Sequence, residues 1–188
     1  MRAAVMARVA LMAALTAVGA QIAIPLYFTP VPFTLQVPMV ILSGLLLGAR
    51  YGALAQVVYL LLGAVGLPVF AQFHGGLGTL LGPTGGYLLS YPFAAALSGL
   101  AFGVVASGRR GRAIAGGTAF GLLGLLVIYA LGALWLAVQA GLSAGEAIAA
   151  GVLPFIPFDV VKVVLAALLA AAVAPQISSA FGAARRSA

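Results

Sequence analysis

The sequence predicts an all-α integral membrane protein, a bundle of about six transmembrane helices with both termini cytoplasmic, in a single domain over residues 1–188. Three observations predict it. Of the 188 residues, 64 % are hydrophobic and 6 % are charged, against roughly 25 % charged in a soluble domain. Apolar runs recur at lengths near the about 20 helical residues that cross a bilayer. The arginines sit at the ends of those runs, and with six crossings all of them fall on one side, which the positive-inside rule makes the cytoplasm.

The first helix is expected over Ala7–Ile24. Arg2, Arg8 and the small residues Ala17–Ala20 also fit a secretory signal with a cleavage site. Removing it would leave five spans and scatter the arginines, so the segment is read as a helix. Pro25, Pro30, Pro32 and Pro38 make the next connection irregular, because proline lacks the donor that helix and sheet both use. Two short helices follow, Val37–Ala49 and Tyr51–Leu67, joined by a tight hairpin at Gly48–Gly52. Gly44, Gly48 and Gly52 recur every four residues and read as close helix packing. A second irregular connection covers the glycine-rich Gly75–Gly86. It lacks the Gly-Lys-Ser/Thr ending of a phosphate loop and follows no strand. The last three helices are expected over Gly86–Ser107, Ala113–Ala140 and Pro157–Ala174, with Glu146 in a loop.

The chemistry concentrates in Phe155-Ile-Pro-Phe-Asp-Val-Val-Lys162. Asp159 is the single aspartate and Lys162 the single lysine. Ionisable groups within a span are costly and mark function by default. Residues three apart share a helix face, so the pair offers an acceptor-rich carboxylate and a triple donor at one spot. Asp159 falls in the first turn, where the helix dipole favours a carboxylate. A structural tie between helices and an ion path are the competing readings, though an ion path usually places carboxylates on several helices. The outer loops around Tyr27–Gln36 and Pro68–Gly76 mix aromatics with hydrogen-bonding side chains, as a small-molecule pocket does. His74 is either pocket lining or simply exposed. Gln56, Tyr59 and Tyr87 are either ligand contacts or interhelical hydrogen bonds.

Several classes are disfavoured. There is no cysteine, so disulfides and thiol chemistry are excluded. The net charge of +7 is topological and not a nucleic-acid footprint, since no aromatics interleave with the arginines. No phosphate loop is present for ATP hydrolysis. An intramembrane enzyme would need paired carboxylates, a metal cluster or a nucleophile with its base. A channel would need polar residues along several helices. No cofactor or metal site is expected.

Pro32-Phe-Thr-Leu-Gln36, Gly66-Leu-Pro-Val-Phe70, Gly82-Pro-Thr-Gly-Gly-Tyr87 and Pro157-Phe-Asp-Val-Val-Lys162 stand in the order found in the BioY family. The sequence resembles that family, the biotin-specific substrate-binding component of energy-coupling-factor transporters. The resemblance implies a six-helix subunit of a bacterial plasma membrane that holds biotin near the outer face with Asp159 and Lys162. It also implies partnership with a transmembrane coupling protein and two ATPases, docked through first-helix alanines such as Ala3, Ala7, Ala10 and Ala14. Working alone or as a homo-oligomer stays open. The candidate biotin-binding set is Asp159, Lys162, Tyr87, Thr84, Gly85, Gly86, Phe33, Gln36, Gln56, Tyr59, Phe73 and His74.

Overall fold

The computed structural model of the protein describes residues 2–186, with side chains at 3–174 and 176. Helix α1 (Arg2–Gln21) is followed by strands β1 (Ala23–Leu26) and β2 (Thr29–Thr34), then α2 (Gln36–Ala64). A 3-10 turn at Ala71–Phe73 leads to α3 (Leu77–Leu81), α4 (Gly85–Gly99) and α5 (Phe102–Val105). The chain ends in α6 (Arg110–Ala140), α7 (Ala144–Gly151) and α8 (Ile156–Arg186). Among the described residues, four helices are long and apolar enough to cross a membrane: Ala3–Gln21, Gln36–Ala64, Arg110–Ala140 and Ile156–Ala174. Large apolar side chains such as Leu11, Leu61, Phe93, Leu126 and Leu165 are exposed around the bundle. That is the surface hydrocarbon solvates and water does not.

The expected hairpin of two short helices is a single element broken at Gly48, whose φ of 79° and ψ of 170° interrupt it. The chain folds back there. Gln36 Nε2 donates to the Tyr59 hydroxyl at 2.7 Å, although 23 residues of straight helix would separate them by about 34 Å. The two arms close on their glycines: a methyl on Gly52 would lie 2.7 Å from the Gly44 Cα. Ser43 and Gln56 bond across the same seam at 3.1 Å.

Other expectations are corrected. The proline-rich connection is not irregular but an antiparallel hairpin, Ala23 opposite Thr34 and Leu26 opposite Thr29, with a bulge between Ile24 and Leu26. A two-stranded ribbon needs few ladder donors, so Pro25, Pro30 and Pro32 cost it little. The glycine-rich stretch contains α3. The expected helix Gly86–Ser107 stops at Gly99 and restarts briefly as α5. Glu146 caps α7 instead of lying in a loop. Its carboxylate accepts from the Ser143 hydroxyl and N–H at 2.7 and 2.9 Å while Ser143 caps the Glu146 N–H. Those bonds hold the Glu146 carboxyl below the usual carboxylate range.

The helix ends separate chemically. A Cβ built on Gly48 would lie 3.7 Å from the Phe102 ring, which places Arg50 near α5 and the start of α6, where Arg109, Arg110 and Arg112 lie. Arg8 lies thirteen residues down α1 from Gln21, about 20 Å from that end. The side chains of Arg2, Arg185 and Arg186 lie outside the described residues. At the opposite end are the β-hairpin, α3, α7 and the start of α8.

Gly48 yields a test. A Cβ there has room but not the backbone conformation, which costs on the order of 1–3 kcal/mol for an L-residue. Gly48→Ala should lower unfolding stability in detergent by about that amount. Gly103→Ala, with an open site in α5 and an ordinary φ, should not lower stability, since alanine is the better helix former.

Candidate binding site

The hairpin, the loop after α2, and the starts of α4 and α8 close around a cavity of about 340 Å³. That is within the range of small-molecule pockets. Pro30, Val31 and Pro32 come from β2 and its approach; Phe70, Gln72 and His74 from the loop; Thr79 and Thr84 from either side of the α3–α4 turn. Helices contribute Tyr87 and Tyr91, Ile128 and Tyr129, and Asp159 and Lys162, and the turn before α8 adds Phe155.

Asp159 and Lys162 are 4 % and 8 % exposed. Helix α8 opens with Pro157 in its first turn, where no N–H partner is needed, and one turn then brings the two charges to one face. Lys162 Nζ donates to Asp159 Oδ1 at 2.8 Å and to the Thr34 carbonyl at 2.7 Å. It also lies 3.5 Å from the centroid of the Phe33 ring. The pair therefore ties α8 to β2 over 128 residues of sequence. Asp159 Oδ2 accepts from the Tyr129 hydroxyl at 2.8 Å. Each carboxylate oxygen retains a free lone pair, so Asp159 can accept further bonds from a guest. Neutralising each other limits the cost of taking both charges from water.

The wall is braced by hydrogen bonds. Tyr87 donates to the Gly151 carbonyl at 2.9 Å, with its ring against Gly132. Trp135 Nε1 donates to the Gly82 carbonyl at 2.9 Å and pins the turn before α4. Thr34 Oγ1 donates to Gln36 Oε1 at 3.1 Å, Gln36 to Tyr59, and Tyr59 to the Val69 carbonyl at 3.1 Å. His74 Nδ1 lies 2.9 Å from the Ala71 carbonyl. A carbonyl only accepts, so Nδ1 is the donor in this contact. Gln72 and Phe73 both have φ of 59°, a left-handed backbone that costs each roughly 1–2 kcal/mol.

Of the residues expected at the site, Asp159, Lys162, Tyr87, Thr84, Gln36 and His74 line the cavity. The other six are placed elsewhere. Phe33 underlies the lysine and meets Phe158 edge to face. Tyr59 stands behind the wall, stacked near Tyr91. Gln56 is fully buried against Thr16 and Ser43, between α1 and the α2 arms. Gly85 and Gly86 press on Leu80 and Trp135, where any side chain would collide. Phe73 is 71 % exposed, because the left-handed turn swings its ring outward. Tyr91, Ile128, Tyr129 and Phe155 were not singled out from the sequence. For Tyr91 and Tyr129 the available signal was a tyrosine in mid-span of an apolar helix; Ile128 and Phe155 carried none.

The model of the BioY family matches residues 1–179. The chain belongs to the BioY family. A relative from Pyrococcus horikoshii, "Probable biotin transporter BioY", is 46 % identical over 170 residues, 90 % of this chain and 96 % of the relative. The "Biotin transporter BioY" of Thermotoga maritima is 48 % identical over 157 residues, 84 % of this chain and 88 % of the relative. A solved structure, the S-component for biotin from an ECF-type ABC transporter, superposes with a TM-score of 0.83 at 28 % identity. It covers 92 % of this chain and 91 % of that one.

Tyr129 has a measurable role in this arrangement. Tyr129→Phe removes a charge-assisted hydrogen bond from Asp159, and the expected loss of ligand-free stability is about 1.5–3 kcal/mol. Denaturant unfolding in detergent reads it directly. A curve superimposable on the native protein's would show that the bond contributes nothing net.

Proposed function

We propose that this chain is the biotin-binding membrane subunit of a vitamin importer, which captures biotin at the outer face while partner ATPases supply the energy. The observation that carries the reading is the buried Asp159–Lys162 pair opening into an aromatic-walled cavity of about 340 Å³, in a chain of the BioY family. Biotin presents a ureido ring with two N–H donors and a carbonyl, an apolar thioether ring, and a valerate tail ending in a carboxylate. The free lone pairs of Asp159 suit the ureido N–H groups. Lys162 supplies positive charge for the ureido oxygen or the tail carboxylate. Tyr87, Tyr91 and Ile128 offer apolar area to the rings. Thr84, Gln36 and His74 add donors and acceptors around the rim. Tyr59, Phe33, Gly85 and Gly86 support the wall from behind, and Gln56 holds α1 to the α2 arms.

Six crossings fit the arrangement: α1, the two arms of α2, α4 with α5, α6 and α8. The arginine-bearing end is then cytoplasmic and the cavity faces outward, in a plasma or inner membrane. Ala3, Ala7, Ala10 and Ala14 are exposed along one face of α1. Small side chains let another helix approach closely, which suits docking of a transmembrane coupling protein with its two ATPases.

Variants of the pair test the function. Lys162→Ala strands a buried carboxylate and should weaken biotin binding by about 2–5 kcal/mol, with folding retained because the cavity can hydrate. Native affinity in a folded Lys162→Ala protein refutes the assignment. Asp159→Asn keeps the shape but turns an acceptor into a mixed group. Titration calorimetry should give an intermediate loss for it. An affinity equal to the native one would leave Asp159 a structural tie.

A further inference from the structure

We infer that Gln21, the last residue of α1, is a positioning residue that latches the Leu67–Gly76 loop over the cavity and so sets how fast the ligand enters and leaves. The proposal rests on the biotin-binding reading for its kinetic arm only. Gln21 Nε2 donates to the Phe70 carbonyl at 3.1 Å and to the Ala17 carbonyl at 3.2 Å, with the Pro68 carbonyl at 3.5 Å. Its Oε1 accepts from the Phe73 N–H at 2.9 Å. One side-chain amide thus brackets the segment from Phe70 to Phe73, and within it lie the two left-handed residues, Gln72 and Phe73.

The two ends of that segment are held differently. Phe70 is 1 % exposed, with its ring in the slot left by Gly63 and edge-on to Tyr59 at 5.5 Å. Packing fixes it without Gln21. Phe73 is 71 % exposed, so burial contributes little there, and its backbone is in a conformation a bulky residue avoids. A strained conformation persists where its surroundings over-determine it. Here the turn is closed by the Phe70 N–H to the His74 carbonyl at 2.9 Å and the His74 N–H to the Ala71 carbonyl at 3.3 Å, and the Gln21 amide is what ties the Phe73 N–H to α1. Ala71, Gln72 and His74 of the same loop line the cavity. Releasing Phe73 lets this section of wall relax away from the cavity while Phe70 stays anchored as the hinge. The carbonyl and the amide of Gln21 act on opposite ends of the turn, which an aliphatic side chain of equal length cannot do.

The test uses the full chain in detergent. Gln21→Met keeps the length and removes the latch. Biotin dissociation should accelerate about ten-fold and association should accelerate with it, so affinity changes less than either rate. Hydrogen exchange of the peptide spanning Phe73 should rise in the ligand-free protein, with an unchanged melting midpoint. Adding Phe73→Asn, which tolerates the left-handed conformation, should restore slow exchange and slow dissociation. If Gln21→Met does not fold, Phe73→Asn alone should slow dissociation, and native or faster dissociation overturns the latch. Unchanged exchange at Phe73 in folded Gln21→Met also overturns it, as does raised exchange with native rates. The exchange arm needs no ligand: raised exchange in a chain that fails to bind biotin would leave the latch standing and sink the biotin reading instead.

Discussion

The ion pair of Asp159 and Lys162 is the constraint on which the site depends. A charge buried in an apolar bundle is tolerated when every neighbouring valence is arranged around it. Here Lys162 reaches a backbone carbonyl of the hairpin, and Asp159 takes a tyrosine hydroxyl from α6. Three elements from distant parts of the chain, β2, α6 and α8, are thereby indexed to one another at the cavity. Removing one charge would leave the other to be hydrated or neutralised, and the hairpin would lose its tether to α8. On the proposed function, recognition and architecture use the same two residues, and replacing the pair by packing alone would remove a ligand contact along with the tether.

Around that pair the bundle is built on close approach. Glycines at the α2 break and its flanks let two helical arms touch with no side chains between them. This frees the interior at the other end for Tyr87, Tyr91 and Tyr129, whose rings need space and whose hydroxyls need partners. The result divides the molecule in two. The arginine end is tightly packed and presents the smooth alanine face of α1, while the far end is a ribbon, a strained loop and a short capped helix around an open volume. Rigid helices set the positions of the charges, and the softer loop segments control access to them.

Much of this was legible in the residues. A lone aspartate three residues before a lone lysine marks one helix face whatever the rest of the fold does. Gly48 signalled the α2 reversal for the same local reason. The hairpin was hidden because Pro25, Pro30 and Pro32 signal a break in helix, and nothing local to them shows a two-stranded ribbon. Tyr129 was hidden because its partnership with Asp159 spans 30 residues, and periodicity carries no information about which helix faces which. Gln56 and Phe73 mark the opposite limit. A polar side chain in a span, or an aromatic in an outer loop, reads equally as ligand contact, interhelical bond or exposed ring, and tertiary packing and backbone handedness decide among them.

On the proposed function, the cavity beside Asp159 and Lys162 is a biotin site. Equilibrium binding of biotin to the purified chain in detergent, with riboflavin and thiamine as controls, tests it most directly. The account predicts tight, saturable binding of biotin at one site per chain and none of either control. A folded sample that binds no biotin, or binds all three alike, would contradict it and return the charged pair to a purely structural role.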